Sequence, residues 1–164
     1  MVVITGGPGV GKSLLGVGLA DRLPGGVVLE PPAGAVTKHD SLTIMRWFKD
    51  WLVLGAQIAQ SGRYLVIPSF ARPLELEQLP ERAWVGPIHW LVLVCDADIL
   101  ERRLRGRRKS RGIGDAEVSG LIGVNEELRA IAQEHPGARV IDTSALSPGD
   151  VVDAAAAEIR GWVS

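Results

Sequence analysis

Residues Gly6-Gly7-Pro8-Gly9-Val10-Gly11-Lys12-Ser13 put four glycines, a lysine and a hydroxyl into eight consecutive positions, with the spacing G-x-x-x-x-G-K-[ST]. Glycines reach backbone angles that other residues avoid, so successive N–H groups can turn inward on one anion. A helix starting near Lys12 would add its partial positive charge. In this spacing the lysine reaches the β- and γ-phosphates of a nucleoside triphosphate, and the Ser13 hydroxyl sits on Mg²⁺. Directly before the loop, Met1–Thr5 is a short β-branched run. Directly after it, Leu14–Leu23 reads as an apolar-periodic helix, and those are the neighbours this loop requires.

Other residues with chemistry to offer are scattered. Residues 101–112 hold seven of the 18 Lys and Arg and one acid, a local anion-binding segment. Glu30 closes a short apolar strand, and in open α/β sheets ligands gather at the carboxyl ends of strands. Asp40 is a second candidate carboxylate, although as part of Asp40-Ser41 it also serves to cap a helix. Cys95 lies in an apolar run and reads as a buried, inert thiol. A single cysteine excludes an internal disulfide and a cysteine metal cluster, and His39, His89 and His135 carry no metal-ligand spacing.

The elements that must position these groups alternate. Strands are expected at 1–5, 27–30, 63–67, 88–95 and 139–142, with Pro68 ending the third. Helices are expected at 14–23, from Asp40-Ser41 to Ser61, from Asp96 into the arginine segment, at 115–134, and from the Ser147-Pro148 cap to Trp162. A helix or turn broken by Pro80 fits 74–82. In the long helix Ile44, Trp47, Phe48, Trp51, Leu54 and Ile58 follow the spacing of one face. Strands that are apolar throughout, alternating with helices, predict a parallel sheet covered on both faces. That is a three-layer α/β sandwich with a five-stranded parallel sheet, a single domain over residues 1–164.

With 46% hydrophobic and 23% charged residues the chain is globular, and its net charge of −1 excludes wholesale electrostatic binding of nucleic acid. Its apolar runs are far short of the about 20 residues that span a membrane. With the glycine loop starting at Gly6 no leader peptide is expected, and a cytoplasmic protein follows.

Taken together, the loop, the arginine run Arg103-Leu104-Arg105-Gly106-Arg107-Arg108 and the closing Val140-Ile141-Asp142-Thr143-Ser144 resemble the small P-loop kinases. That group contains nucleoside monophosphate kinases and compact kinases of sugars, nucleosides and antibiotics. The resemblance implies a lid at about 103–115, with Arg103 against the adenine, Arg107 on phosphate and Arg111 as a further lid cation. Glu30-Pro31-Pro32 is similar to the Glu-Pro pair of deoxynucleoside kinases, which implies a base beside the acceptor hydroxyl. The long helix borders the acceptor in such kinases, which places Trp47 and Asp40 near it. Where monophosphate kinases read Asp-Gly-Phe-Pro-Arg, this chain reads Pro68-Ser69-Phe70-Ala71-Arg72. Arg72 thus falls on the position of an acceptor-phosphate arginine, while Pro68 replaces a carboxylate of the magnesium environment. Either Glu30 supplies that charge, or Ser13, phosphates and water hold the ion alone.

The implied activity is phosphoryl transfer from ATP, with Mg²⁺, to a hydroxyl of a small molecule such as a nucleoside, sugar or antibiotic. ATP is favoured by elimination, since no Asn-Lys-x-Asp guanine signature is present. Two alternatives stand beside it: a nucleoside monophosphate kinase using Arg72, and a nucleotide-binding switch or accessory protein without acceptor chemistry. The expected partner is the small-molecule acceptor, with neither nucleic acid nor membrane, and the residues carry no signal of oligomeric state.

Overall fold

A computed structural model describes residues 1–30, 41–111 and 114–163, and the backbone alone for 41–44 and 107–111. Five strands, β1 (Val2–Gly6), β2 (Gly26–Val28), β3 (Tyr64–Pro68), β4 (His89–Val94) and β5 (Ala138–Asp142), form one parallel sheet in the order β2-β3-β1-β4-β5. Six helices accompany them: α1 (Lys12–Gly18), α2 (Ser41–Gln60), α3 (Pro73–Glu77), α4 (Ala97–Arg111), α5 (Asp115–Glu134) and α6 (Pro148–Val163). A 3₁₀ turn covers Pro80–Trp84. The expected α/β sandwich is the fold observed. Among the described residues, no helix is long and apolar enough to cross a membrane.

Burial follows the strand order. Central β1 is buried at every position and β4 at all but His89, as their continuous apolar runs require. Edge strands β2 and β5 are half-buried or exposed over most of their length. On one face α1, α4 and α6 pack Leu15, Leu100, Leu104, Val152 and Ile159 onto Ile4, Leu91 and Leu93. On the other, Phe48 and Leu52 of α2 meet Val3 and Trp90, and Leu128 and Ala132 of α5 meet Val92 and Val94.

Three local expectations are corrected. The first helix ends at Gly18, not Leu23, and continues as turns in which Arg22 N–H bonds Leu19 C=O. A side chain at Gly18 would come within 2.7 Å of Val152, so α1 and α6 approach at backbone distance. Pro68 belongs to β3 rather than ending it, paired with Ile4. Leu29 N–H bonds Val66 C=O, so alternate β3 residues face β2, and the donor Pro68 lacks falls on that side, beyond the last β2 pair. The inward line of α2 is Phe48, Leu52 and Gly55, one residue round from the expected stripe; Trp47, Trp51, Leu54 and Ile58 run beside it, half-buried. This helix is apolar around much of its circumference, so spacing alone left its rotation open. The Ser147 cap is found as expected: its Oγ accepts from Asp150 N–H at 3.2 Å, and the Asp150 carboxylate accepts from Ser147 N–H at 3.2 Å.

Candidate active site

The glycine loop leaves the carboxyl end of β1, the strand about which the sheet order reverses. Gly9 (φ +94°) and Gly11 (φ +112°) both lie in the left-handed region, where a side chain is strained. Gly9 also faces α4 so closely that a Cβ would lie 2.8 Å from Leu100. The Lys12 ammonium folds back over the loop and donates to Gly6 C=O at 2.6 Å and Gly7 C=O at 2.9 Å. Ser13 is exposed in the first turn of α1. The cation over the glycine loop and the exposed Ser13 hydroxyl fit a phosphate chain with a hard, oxygen-preferring ion such as Mg²⁺.

Beside the loop lies a cleft of about 310 Å³ lined by Gly9–Gly11, Leu14, Arg103, Thr143, Leu146, Pro148 and Val151. Arg103 is fixed in its wall. Its guanidinium donates to Thr143 Oγ1 at 3.0 Å and Thr143 C=O at 2.7 Å. Thr143 is itself anchored, its Oγ1 and N–H both donating to Val94 C=O. The arginine segment and the β5–α6 turn, which the sequence linked only by resemblance, therefore meet here. Arg107 and Arg111 belong to α4, but their side chains lie outside the described residues, as does all of Asp40.

Glu30 stands exposed just beyond β2, and its carboxylate lies over Gly16 of α1, where an added Cβ would come within 2.5 Å of its Oε2. Arg72, at the start of α3, is engaged on every side. Nε and Nη2 donate to the two carboxylate oxygens of Glu127 at 2.8 and 3.1 Å, and Nη1 donates to Glu75 at 3.4 Å. The guanidinium also lies 5.1 Å above the Phe70 ring. Trp47 meets Trp51 edge-on at 5.5 Å.

Sequence reasoning missed two buried side chains that shape the site's floor. Thr5 Oγ1 donates to Ala71 C=O at 2.7 Å and accepts from Ala71 N–H at 3.1 Å, which carries the 69–72 segment across the end of β1. Asn125 does the same for β4: its Oδ1 accepts from Cys95 N–H at 3.1 Å and its Nδ2 donates to Cys95 C=O at 2.8 Å. Asn125 also lies beneath the loop, 3.8 Å from where a Gly7 Cβ would be. A signal for it existed. Val118, Leu121, Asn125, Leu128 and Ala132 share helical spacing, and a polar residue in the middle of an apolar stripe needs a buried partner.

The carboxylates around this floor are held ionised. The Arg72 hydrogen bond keeps Glu127 below its ordinary 4.5. Burial pushes Asp142 up, but hydrogen bonds from Ser144 and the charge of Arg129 prevail and leave it below 3.8. A depressed carboxylate contributes stability that is present above its unfolded pKa and lost as pH falls through its folded one. Thermal melts should accordingly be flat from neutral pH down to about 5 and fall below 4.5, and Glu127→Gln should remove part of that acid dependence.

No protein-family model matches the sequence, and no curated protein does. Solved structures match over almost the whole chain. A sugar kinase from Janibacter sp. is 18% identical, covering 99% of this chain and 96% of that one, with a TM-score of 0.69. A gluconokinase from Sinorhizobium meliloti is 20% identical, covering 99% and 92%, with a TM-score of 0.64. The tunicamycin resistance protein of Deinococcus radiodurans is 21% identical, covering 96% and 94%, with a TM-score of 0.63. The fold is that of the small P-loop kinases.

Proposed function

We propose that this chain transfers the γ-phosphoryl group of ATP to a hydroxyl of a small molecule that carries no phosphate of its own. The observation that carries this reading is continuity: Gly9–Gly11 belong both to the phosphate loop and to the cleft walled by Arg103, Thr143, Leu146 and Pro148. A triphosphate on the loop would direct its base toward this cleft, beside the Arg103 guanidinium.

The loop amides and Lys12 would hold the phosphates, and the Ser13 hydroxyl would hold Mg²⁺. When bound, that ion would neutralise phosphate charge as it develops in the transfer. The acceptor oxygen forms its bond to the γ-phosphorus as the bond to the β–γ bridging oxygen breaks, and ADP leaves. The hydroxyl proton passes to the Glu30 carboxylate. Arg103 would orient the nucleotide, and the sequence resemblance assigns Arg107 and Arg111 to the lid and Asp40 and Trp47 to the acceptor side. Purified protein given Mg·ATP and a panel of nucleosides, sugars and aminocyclitols should release ADP with at least one of them. Tight ATP binding without turnover on any acceptor would overturn the proposal.

Transfer to a nucleoside monophosphate is disfavoured by Arg72. An acceptor phosphate would have to displace a two-point pair with Glu127 and approach Glu75 as well. Both partners are substantially exposed, so the pair contributes at most about 1 kcal/mol to stability. Arg72→Ala should therefore lower the melting temperature slightly and leave kcat/KM for a neutral acceptor within about threefold. Strong turnover of AMP, CMP or dTMP that this substitution abolishes would reverse the assignment.

A further inference from the structure

We propose that Gly16 is a positioning residue, whose missing side chain forms the seat on which the Glu30 carboxylate is held against α1. The inference rests on the phosphotransfer reading and goes beyond it, since neither the loop motif nor the strand end singles out Gly16. A Cβ at Gly16 would lie 2.5 Å from Glu30 Oε2, 3.3 Å from its Cδ and 3.2 Å from its Cβ. The contact under 3.0 Å forces a shift, and it falls on the movable end of the side chain. An added Cβ would push the carboxylate off α1, while Glu30 Cβ and Cδ lie tighter than ordinary contact. Glu30 keeps this conformation beside glycine and must move its carboxylate to admit a Cβ there.

The seat lies where it matters. Gly16 follows Ser13 by three positions and Lys12 by four, so it shares their side of the helix one turn further on. One turn is about 5 Å of rise. Glu30 is the first residue past the last β2 hydrogen bond, from Leu29 N–H to Val66 C=O, so its backbone is anchored while its side chain is not. The exposed carboxylate would otherwise sample several rotamers in water. Packing against α1 confines it to the side of the helix that begins with the phosphate-binding lysine and serine.

Helix propensity supplies a test in which stability and activity move oppositely. Alanine is the better helix former, so Gly16→Ala in α1 should leave the melting temperature at or above that of the wild type. If the glycine acts as a seat, kcat should nonetheless fall at least tenfold, with KM for ATP within about threefold. In a Glu30→Gln background the same change should lower kcat less than twofold, because the group it displaces is already disabled. Unchanged kcat in Gly16→Ala, an equal loss in both backgrounds, or a melting temperature far below wild type would each overturn the proposal. Should the wild type phosphorylate no acceptor, the phosphotransfer reading fails, and melting decides the seat by itself. Gly16→Ala should then raise the melting temperature more in Glu30→Ala than in wild type, and an equal shift in both overturns it.

Discussion

Lys12→Ala is expected to reduce kcat by about a thousandfold, the largest single effect on activity this site offers. The reason lies in where the ammonium already is. It sits over the glycine loop, bonded to Gly6 C=O and Gly7 C=O. A cation held in place needs no reorganisation when charge develops on the transferring phosphoryl group, and such fixed charges carry the greater part of phosphoryl-transfer catalysis. Alanine removes the charge and frees two loop carbonyls, so KM for ATP should rise as kcat falls. Lys12→Arg keeps the charge but spreads it over a planar fork, and should recover only part of the loss. Initial rates of ADP release with saturating acceptor measure all three. Turnover in Lys12→Ala close to that of the wild type would remove the loop from the mechanism.

The largest expected effect on stability falls on a residue that touches no phosphate. Asn125→Ala should destabilise the fold by about 3 kcal/mol. Asn125 is fully buried, and it satisfies both backbone groups of Cys95, which is likewise buried. Alanine strands a donor and an acceptor where water does not reach, and each unpaired group costs about 1–3 kcal/mol. For a chain of this size that is a drop of roughly 6–12 °C in melting temperature. Asn125→Asp keeps the shape but loses the donor, setting a carboxylate against the Cys95 carbonyl, and should cost at least as much. Because α5 also underlies Gly7, the alanine variant should bind nucleotide more weakly at temperatures where it remains folded. Calorimetric melts with and without an ATP analogue separate the two effects, and a melting temperature within 2 °C of wild type would show, by the same conversion, that the pairing contributes little.

What the sequence disclosed and what it withheld follow from range. The phosphate loop was legible because its chemistry is local: eight consecutive residues carry the turn, the charge and the hydroxyl. β1 and β4 were legible because strands buried on both faces need unbroken apolar runs. The rotation of α2 was not, since a helix apolar on most sides does not declare which side faces the sheet. Glu30 could be picked from its place at a strand end, but its seat on Gly16 joins residues from separate elements, and no spacing along the chain encodes that. Arg72 could likewise be picked from its place after the third strand, but its pair with Glu127, fifty-five residues away, is written in no spacing along the chain. Thr5 reads as an ordinary polar residue until the backbone groups it satisfies are known, whereas Asn125 interrupts an apolar stripe and so calls for a buried partner without naming Cys95.

These last two bear on how such a protein can acquire a different acceptor. By closing off Ala71 and Cys95 from within the scaffold, they let the backbone beyond each strand end leave without depending on the sheet for its hydrogen bonds. Insertions or deletions confined to the stretch between Ala71 and β4 break no strand pairing. On the proposed phosphotransfer, the choice of acceptor can therefore change through that stretch while the glycine loop and Lys12 stay as they are.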